Sequence, residues 1–159
     1  MTTFYVREET GFREARGTEI LTRAQALVAQ RFRAGSPAFT EPHRTADFLR
    51  LHVGSLDYEV FGLLHLDARH RLIALEDLFR GTLTGSSVHI REVVKSVLSH
   101  QAAAVILFHN HPSGHAEPSD PDHIVTRRIR HTLDLIDVRV LDHLIVGETI
   151  YSFRESGLL

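Results

Sequence analysis

Residues 102–112 read AAAVILFHNHP, an apolar run that passes directly into a polar cluster. The first seven of these residues carry no polar side chain, which is typical of a central strand covered by helices on both faces. If the strand continues through His111, the side chains of His109 and His111 leave one face and Asn110 leaves the other. Pro112 disfavours helical geometry at the residue before it and so keeps that residue extended. The stretch predicts a buried strand that ends with two imidazoles pointing together.

Residues 119–122 read Ser-Asp-Pro-Asp and open a helical pattern that runs to residue 137. A serine N-cap, an early proline and an acid at the third position predict a helix start, and this capping role accounts for Ser119 as well as a catalytic role does. Asp122 differs, because the apolar stripe of the helix extends back onto its position and turns the carboxylate inward. The stripe consists of Val125, Ile129, Leu133 and Ile136.

An inward carboxylate near two convergent imidazoles is unfavourable unless a positive charge lies among them. Two histidines and one carboxylate form a known catalytic zinc set with an open fourth position for water. The sequence therefore predicts a divalent metal at the exit of this strand.

The rest of the chain alternates between strand-like and helical patterns. Strands that alternate with helices predict an α/β, or α+β layered, domain with a mixed sheet sandwiched by helices. We predict helices at 19–35, 45–54 and 90–102, a connector at 36–45, a hairpin at 58–82 around the turn DARHR, and strands at 138–147 and 149–153.

Composition and missing motifs argue against several classes of protein. The 18 Lys and Arg residues are balanced by 20 Asp and Glu residues, so the chain lacks the basic field of most nucleic-acid binders. Without cysteine there are no disulfides, thiolate zinc sites or cysteine nucleophiles, and no PCxxC segment of a zinc nucleobase deaminase. No GxSxG elbow of a serine hydrolase is present. The N-terminus is acidic where a signal peptide would be apolar, and no run reaches membrane-spanning length, so we expect a cytoplasmic protein.

A metal-activated water also needs a base that takes and returns its proton. Glu59 precedes an apolar run, and strand alternation places its side chain on the face of Phe61 and Leu63. Periodicity alone leaves three other acids equally eligible: Glu76, Asp77 and Glu92.

Five residues at fixed spacing now carry a family resemblance. Glu59, followed by His109 and His111, then Ser119 and Asp122, resembles the JAMM (MPN-type) metallopeptidase signature of a distant Glu followed by HxH, seven residues and SxxD. Four segments look like the RadC family within that superfamily: LFRGT at 78–82, REVVK at 91–95, HNHPSG at 109–114 and LDHLIVG at 141–147. FRAGSPAFTEP and IYSFRESGLL, at 32–42 and 150–159, resemble short RadC-like forms.

The resemblance implies a zinc hydrolase, a peptidase or isopeptidase, on the JAMM/MPN cytidine-deaminase-like fold. It implies one zinc per chain held by His109, His111 and Asp122, with Glu59 as base and proton shuttle. Ser119 would donate a hydrogen bond to the oxyanion of the tetrahedral intermediate. The implied substrate is a peptide or protein of unknown identity.

The same resemblance implies an N-terminal helical segment and linker at 1–41 and a RadC-like JAMM/MPN domain at 42–159. The alternative function is a noncatalytic scaffold or DNA-associated protein of the RadC type. The balanced charge does not support a phosphate-tracking surface. The sequence indicates no oligomeric state.

Three further polar residues lie near the predicted site. We expect His115 to be an exposed loop tip and Ser113 to shape the turn. His143 alternates onto the face of Leu141 and Ile145, where it is either a hydrogen-bonded core histidine or a partner of a metal ligand.

Overall fold

The computed structural model describes residues 3–33, 42–81 and 88–159. These residues form a mixed α/β fold, as predicted. The helices are α1 (Gly17–Arg33), α2 (Pro42–Val53), α3 (Ile90–Ser99) and α4 (Asp120–Asp134). The strands are β1 (Tyr5–Glu8), β2 (Gly11–Glu14), β3 (Val60–Leu66), β4 (Leu72–Arg80), β5 (Ala104–Asn110), β6 (Arg139–Val146) and β7 (Ile150–Ser152).

Five strands form one mixed sheet in the order β4-β3-β5-β6-β7. Only the pair β5–β6 is parallel among these neighbours, and α4 is the crossover that a parallel connection requires. The predicted mixed sheet is therefore confirmed, and the apolar run of residues 104–108 is its central strand, with every residue buried.

The central strand separates two apolar cores, because its side chains alternate between faces. Ile106 and Phe108 pack with α2 on one face. Val105 and Leu107 pack with α3 and α4 on the other. His109 continues this second series, so alternation carries its ring toward α4. The three layers thus direct the end of β5 toward the first turn of α4.

The predicted hairpin at 58–82 is formed by β3 and β4, which pair antiparallel. Its turn is held by the carboxylate of Asp67, which accepts hydrogen bonds from the N–H groups of Arg69 and Arg71 at 2.8 and 2.9 Å. An Asx-type turn of this kind explains why a polar pentapeptide separates two apolar runs.

Several predicted boundaries are wrong by a few residues. The second helix begins at Pro42, inside the predicted connector, because proline suits the first helical position. The central strand ends at Asn110 rather than His111, although the N–H of His111 still donates to the carbonyl of Val146 at 2.9 Å. Residues 34–41, with Gly35 and most of the FRAGSPAFTEP segment, lie outside the described residues, as does Thr82.

The prediction that His143 shares a face with Leu141 is also wrong. The register between β5 and β6 shifts between Val105 and Ile106, which leaves one extra residue in β6. Such a bulge reverses the alternation locally. Leu141 packs against the core on the α2 face, whereas His143 contacts α4.

The hairpin β1–β2 was not predicted at all. Its strands are mostly exposed and bury no apolar face, so the sequence shows no alternation there. Ion pairs tie it together instead: Arg13 lies 2.6 Å from Glu8 and 2.6 Å from Glu19 of α1.

Candidate metal centre

Two elements meet at the candidate centre, the end of β5 and the start of α4. The ring of His109 is 1% exposed and stacks on Phe61, with ring centroids 6.1 Å apart. Asp122 is the third residue of α4, and its carboxylate and the Ser119 side chain form a complete capping box. The predicted N-cap is therefore confirmed, and it holds the carboxylate beside the strand end.

Three side chains converge at this point. The Nε2 atoms of His109 and His111 lie 3.0 Å apart, and Oδ1 and Oδ2 of Asp122 lie 3.3 and 3.8 Å from them, respectively. Tetrahedral zinc with bonds of about 2.0–2.1 Å requires ligand atoms about 3.3 Å apart. The first two separations are close to this value, and each side chain offers one ligand atom within 4.8 Å of the other two, so the three side chains fit a zinc site.

The ring of His111 is oriented by the loop that follows it. Its Nδ1 lies 2.6 Å from the backbone carbonyl oxygen of His115, which can only accept a hydrogen bond. Nδ1 therefore carries a proton, and Nε2, the other ring nitrogen, faces His109 and Asp122. His115 itself is exposed, as predicted for a loop tip.

The loop is held against the turn between β6 and β7. The N–H of Glu148 donates to the carbonyl of Gly114 at 2.8 Å, and Gly114 has φ +85°. A Cβ on Gly147 would collide with that carbonyl. Two glycines are needed here, one for a left-handed conformation and one for close backbone approach.

His109 contacts a second buried histidine on its far side. Its Nδ1 lies 2.8 Å from Nε2 of His143, whose Nδ1 lies 2.6 Å from the hydroxyl of Thr126 on α4. Burial lowers the pKa of both rings well below the usual range, with the Asp122 carboxylate opposing that effect at His109. Both histidines are therefore neutral at neutral pH, the form that a metal requires of a ligand. His143 is both a core histidine and a partner of a candidate ligand.

Glu59 directly precedes β3 and lines a cleft of about 520 Å³ together with His111, Ser119 and Asp122. Its backbone is fixed by Asn110, on the opposite face of the strand from His109. The N–H of Val60 donates to Oδ1 of Asn110 at 2.7 Å, and Nδ2 of Asn110 donates to the carbonyl of Tyr58 at 2.9 Å. Asn110 thus bonds both residues that flank Glu59.

A family model described as the RadC-like JAB domain matches residues 39–158. The chain belongs to the RadC-like JAB domain family. It is 57% identical over 136 residues to a UPF0758 protein of Leptothrix cholodnii and 56% identical over 126 residues to one of Thioalkalivibrio sulfidiphilus. It is 50% identical over 141 residues to a UPF0758 protein of Vibrio cholerae.

These relatives differ in length. The matches cover 85% and 79% of this chain but only 60% and 56% of the first two relatives. The match to the Vibrio cholerae relative covers 89% of each chain. This RadC-like JAB domain therefore spans little more than half of some relatives. Its described residues include no helix with the length and apolarity needed to cross a bilayer.

The RadC-like JAB domain contains a second group of three possible ligands within its described residues: His65, Glu76 and His100. The rings of His65 and His100 stack nearly parallel, 4.2 Å apart with 16° between their planes. A metal lies in the plane of each imidazole that binds it, so these two rings cannot share one ion. Glu76 instead accepts a hydrogen bond from Ser96 at 2.6 Å.

The competing acids are bound elsewhere in this RadC-like JAB domain. Asp77 lies 2.8 Å from His52, and Glu92 lies 2.6 Å from Lys95. With Glu76 beside Ser96, none of the three lines the cleft. Glu59 is the acid among these four that does.

All five residues predicted for the site lie at one place in this RadC-like JAB domain: four line the cleft, and His109 lies beneath it. Their roles remain predictions. The sequence did not single out Asn110 or Thr126, nor Arg128 of α4, which also lines the cleft. For Asn110, the signal available in the sequence was a polar residue at the end of an apolar strand.

Proposed function

We propose that this chain is a zinc-dependent hydrolase of the JAMM type, a peptidase or isopeptidase. The observation that carries the proposal is the convergence of His109, His111 and Asp122 at separations suited to tetrahedral zinc. When bound, zinc supplies a Lewis acid that polarises a scissile carbonyl and makes water nucleophilic at neutral pH. One zinc per chain would be held by His109, His111 and Asp122.

Glu59 is the proposed base. It lines the same cleft as His111 and Asp122, and Asn110 bonds the backbone on both sides of it. In this role its carboxylate accepts a proton from the attacking water and returns it to the departing nitrogen. A positioned base of this kind contributes about 10²–10⁴-fold to the rate.

Ser119 is the proposed donor to the developing oxyanion. Its hydroxyl now donates to Oδ2 of Asp122 at 2.5 Å. The role requires that this hydroxyl rotate from Asp122 to the substrate oxygen, while its lone pairs continue to accept from the Asp122 N–H. Capping and catalysis are then compatible.

The cleft suits a peptide or protein substrate. Its apolar wall includes Phe61 and Val125, and the exposed Ile124 continues that wall outward. An open, mostly apolar surface beside a few polar groups is typical of substrate sites. A cytoplasmic location is part of the proposal and fits the cysteine-free sequence.

Glu59→Gln is the experiment that tests the proposal. Zinc-loaded protein is incubated with a mixed library of peptides and isopeptide-linked peptides, and new termini are identified by mass spectrometry. We expect cleavage by the wild-type chain and a loss of about 10²–10⁴-fold in Glu59→Gln, with zinc retained. Glu92→Gln, an exposed acid paired with Lys95, is the matched control and keeps full activity.

Absence of any new terminus with the zinc-loaded wild-type chain contradicts the hydrolase proposal. Full activity in Glu59→Gln contradicts the assignment of the base. If the chain is instead a noncatalytic DNA-associated protein, the same samples should bind duplex DNA with an affinity that falls as the salt concentration rises. We favour the hydrolase because a scaffold has no need for three converging ligands.

A further inference from the structure

A chain of hydrogen bonds runs behind the metal centre and joins two of its candidate ligands. Nδ1 of His109 lies 2.8 Å from Nε2 of His143. Nδ1 of His143 lies 2.6 Å from Oγ1 of Thr126, which lies 2.5 Å from the backbone carbonyl oxygen of Asp122. His143 is fully buried and Thr126 is 1% exposed, so water does not compete for these bonds.

The last acceptor in this series of hydrogen bonds decides which atom donates in each bond. The carbonyl oxygen of Asp122 cannot donate, and an oxygen–oxygen contact of 2.5 Å requires a proton between the atoms. The hydroxyl proton of Thr126 is therefore committed to Asp122. Thr126 can then only accept from His143, so the proton of the neutral His143 ring is on Nδ1.

The proton on His143 also fixes the tautomer of the candidate ligand His109. Because Nδ1 of His143 carries the proton, its Nε2 is an acceptor and must receive a proton from Nδ1 of His109. Nε2 of His109 is then unprotonated and faces Nε2 of His111 at 3.0 Å and Oδ1 of Asp122 at 3.3 Å. With His111 also in its Nδ1–H form, three acceptors meet at this point, and such a group binds a cation favourably.

We propose that Thr126 and His143 are positioning residues that hold His109 in the Nδ1–H tautomer, with its Nε2 lone pair ready for a metal. The inference deepens the proposed function and rests on the metal centre described there. For His111, the backbone carbonyl of His115 is the hydrogen-bond acceptor that holds the proton on Nδ1. His109 lies deep in the sheet, and two side chains provide its acceptor instead.

The effect of the Thr126 hydroxyl can be judged from the tautomers expected without it. Without a hydroxyl at position 126, Nδ1–H of His143 would be buried without an acceptor, which is costly. His143 would instead carry its proton on Nε2 and donate to Nδ1 of His109. That ring would then place an N–H at the metal position and could not bind zinc without changing tautomer.

The first arm of the test reads the tautomers directly. Proton–nitrogen correlation spectra of the imidazole rings are recorded on zinc-free protein labelled with nitrogen-15, with His109→Ala and His143→Gln used for assignment. We expect Nδ1–H for both His109 and His143 in the wild-type chain. In Thr126→Val, which has the same shape without the hydroxyl, we expect His109 to shift toward Nε2–H.

The second arm measures zinc affinity by competition with a chelator. Thr126→Val should weaken binding about 10–100-fold, the usual effect of removing an outer-shell partner. Thr126→Ser restores the hydroxyl and should restore the affinity to within about threefold. Thr132→Val is the matched control, because Thr132 also donates to the carbonyl four residues earlier in α4 but is remote from His143.

A wild-type spectrum with the proton on Nε2 of His109 overturns the inference. So does an unchanged zinc affinity in Thr126→Val, or an equal loss in Thr132→Val. A wild-type chain that binds no zinc overturns the proposed function, whereas the spectra of the zinc-free protein separately decide whether Thr126 and His143 set the tautomer.

Discussion

Single residues at this centre combine an observed structural task with a proposed chemical one. Asp122 completes the cap of α4 with Oδ2 and directs Oδ1 to His109. Asn110 closes the gap between β5 and the start of β3 and so fixes the backbone around Glu59. Stability and function are coupled at these positions, so each substitution needs separate measurements of folding, metal content and turnover.

Ser119→Ala should separate the observed capping task of that serine from its proposed catalytic task. Loss of the cap should lower the free energy of unfolding by about 1 kcal/mol. Loss of the oxyanion donor should lower kcat by about 10²–10³-fold with zinc content unchanged. Ser113→Ala, at an exposed serine of the neighbouring loop, is the control and should retain activity. An equal effect of both substitutions would refute the special role of Ser119.

Asn110→Ala should lower both stability and turnover. It leaves the Val60 N–H and the Tyr58 carbonyl without their partner, at about 1–3 kcal/mol for each group. Because these groups flank Glu59, kcat should fall while zinc content stays near that of the wild type. Denaturant unfolding, turnover and zinc content, all measured on one preparation, check these expectations. Turnover unaffected by the substitution would show that Asn110 does not position Glu59.

The sequence predicted some of these residue-level features and missed others for a physical reason. The inward turn of Asp122 follows from helical periodicity, which is local, and the structure bears it out. The contacts of Asn110 and His143 depend on which strands are neighbours and in what register. A single sequence does not contain that information.

At the scale of elements, the site depends on how two turns pack. The loop after β5 supplies the His115 carbonyl to His111 and lies on the turn between β6 and β7. Close approach of their backbones is possible because Gly147 has no side chain.

Gly147→Ala should therefore disturb the metal centre from outside it. The added methyl collides with the carbonyl of Gly114 and must displace the loop, at about 1–3 kcal/mol. We expect zinc affinity to fall together with stability. Gly17→Ala, where a Cβ would have nothing within 4 Å, is the control. Unchanged zinc affinity in Gly147→Ala would show that the loop does not orient His111.

Element prediction succeeded where burial shapes the sequence and failed where it does not. The central strand and β3 are apolar runs in sequence and fully buried strands in the structure, and the half-buried β4 pairs with β3. The hairpin β1–β2 is held by ion pairs at the surface, and Phe12, 75% exposed, belongs to no core. Patterns of hydrophobicity cannot reveal such an element.

At the scale of the whole molecule, buried neutral histidines make stability depend on pH. Burial, together with the smaller effect of the stacked His100, lowers the pKa of His65 to about 4, although Glu76 opposes both. The unfolded chain binds this proton near the ordinary value of 6.5, so the contribution is complete above about pH 6.5 and declines as pH falls toward 4.

The zinc-free chain should therefore lose stability between pH 7 and pH 5, by up to about 1.4 kcal/mol per pH unit for each such histidine. His65→Gln keeps a donor for Ser96 without titrating and should reduce this slope. His131→Gln, at an exposed histidine, should not. Urea unfolding at the two pH values measures the difference, and equal slopes in all three proteins would argue against a lowered pKa at His65.

The most direct test of the central claim is the zinc content of the purified chain by elemental analysis, in the wild type, His109→Ala and the control His131→Ala. We predict about one zinc per chain in the wild type and the control, and almost none in His109→Ala, because two remaining ligands hold zinc weakly. A His109→Ala chain that retains the wild-type zinc content would contradict this prediction.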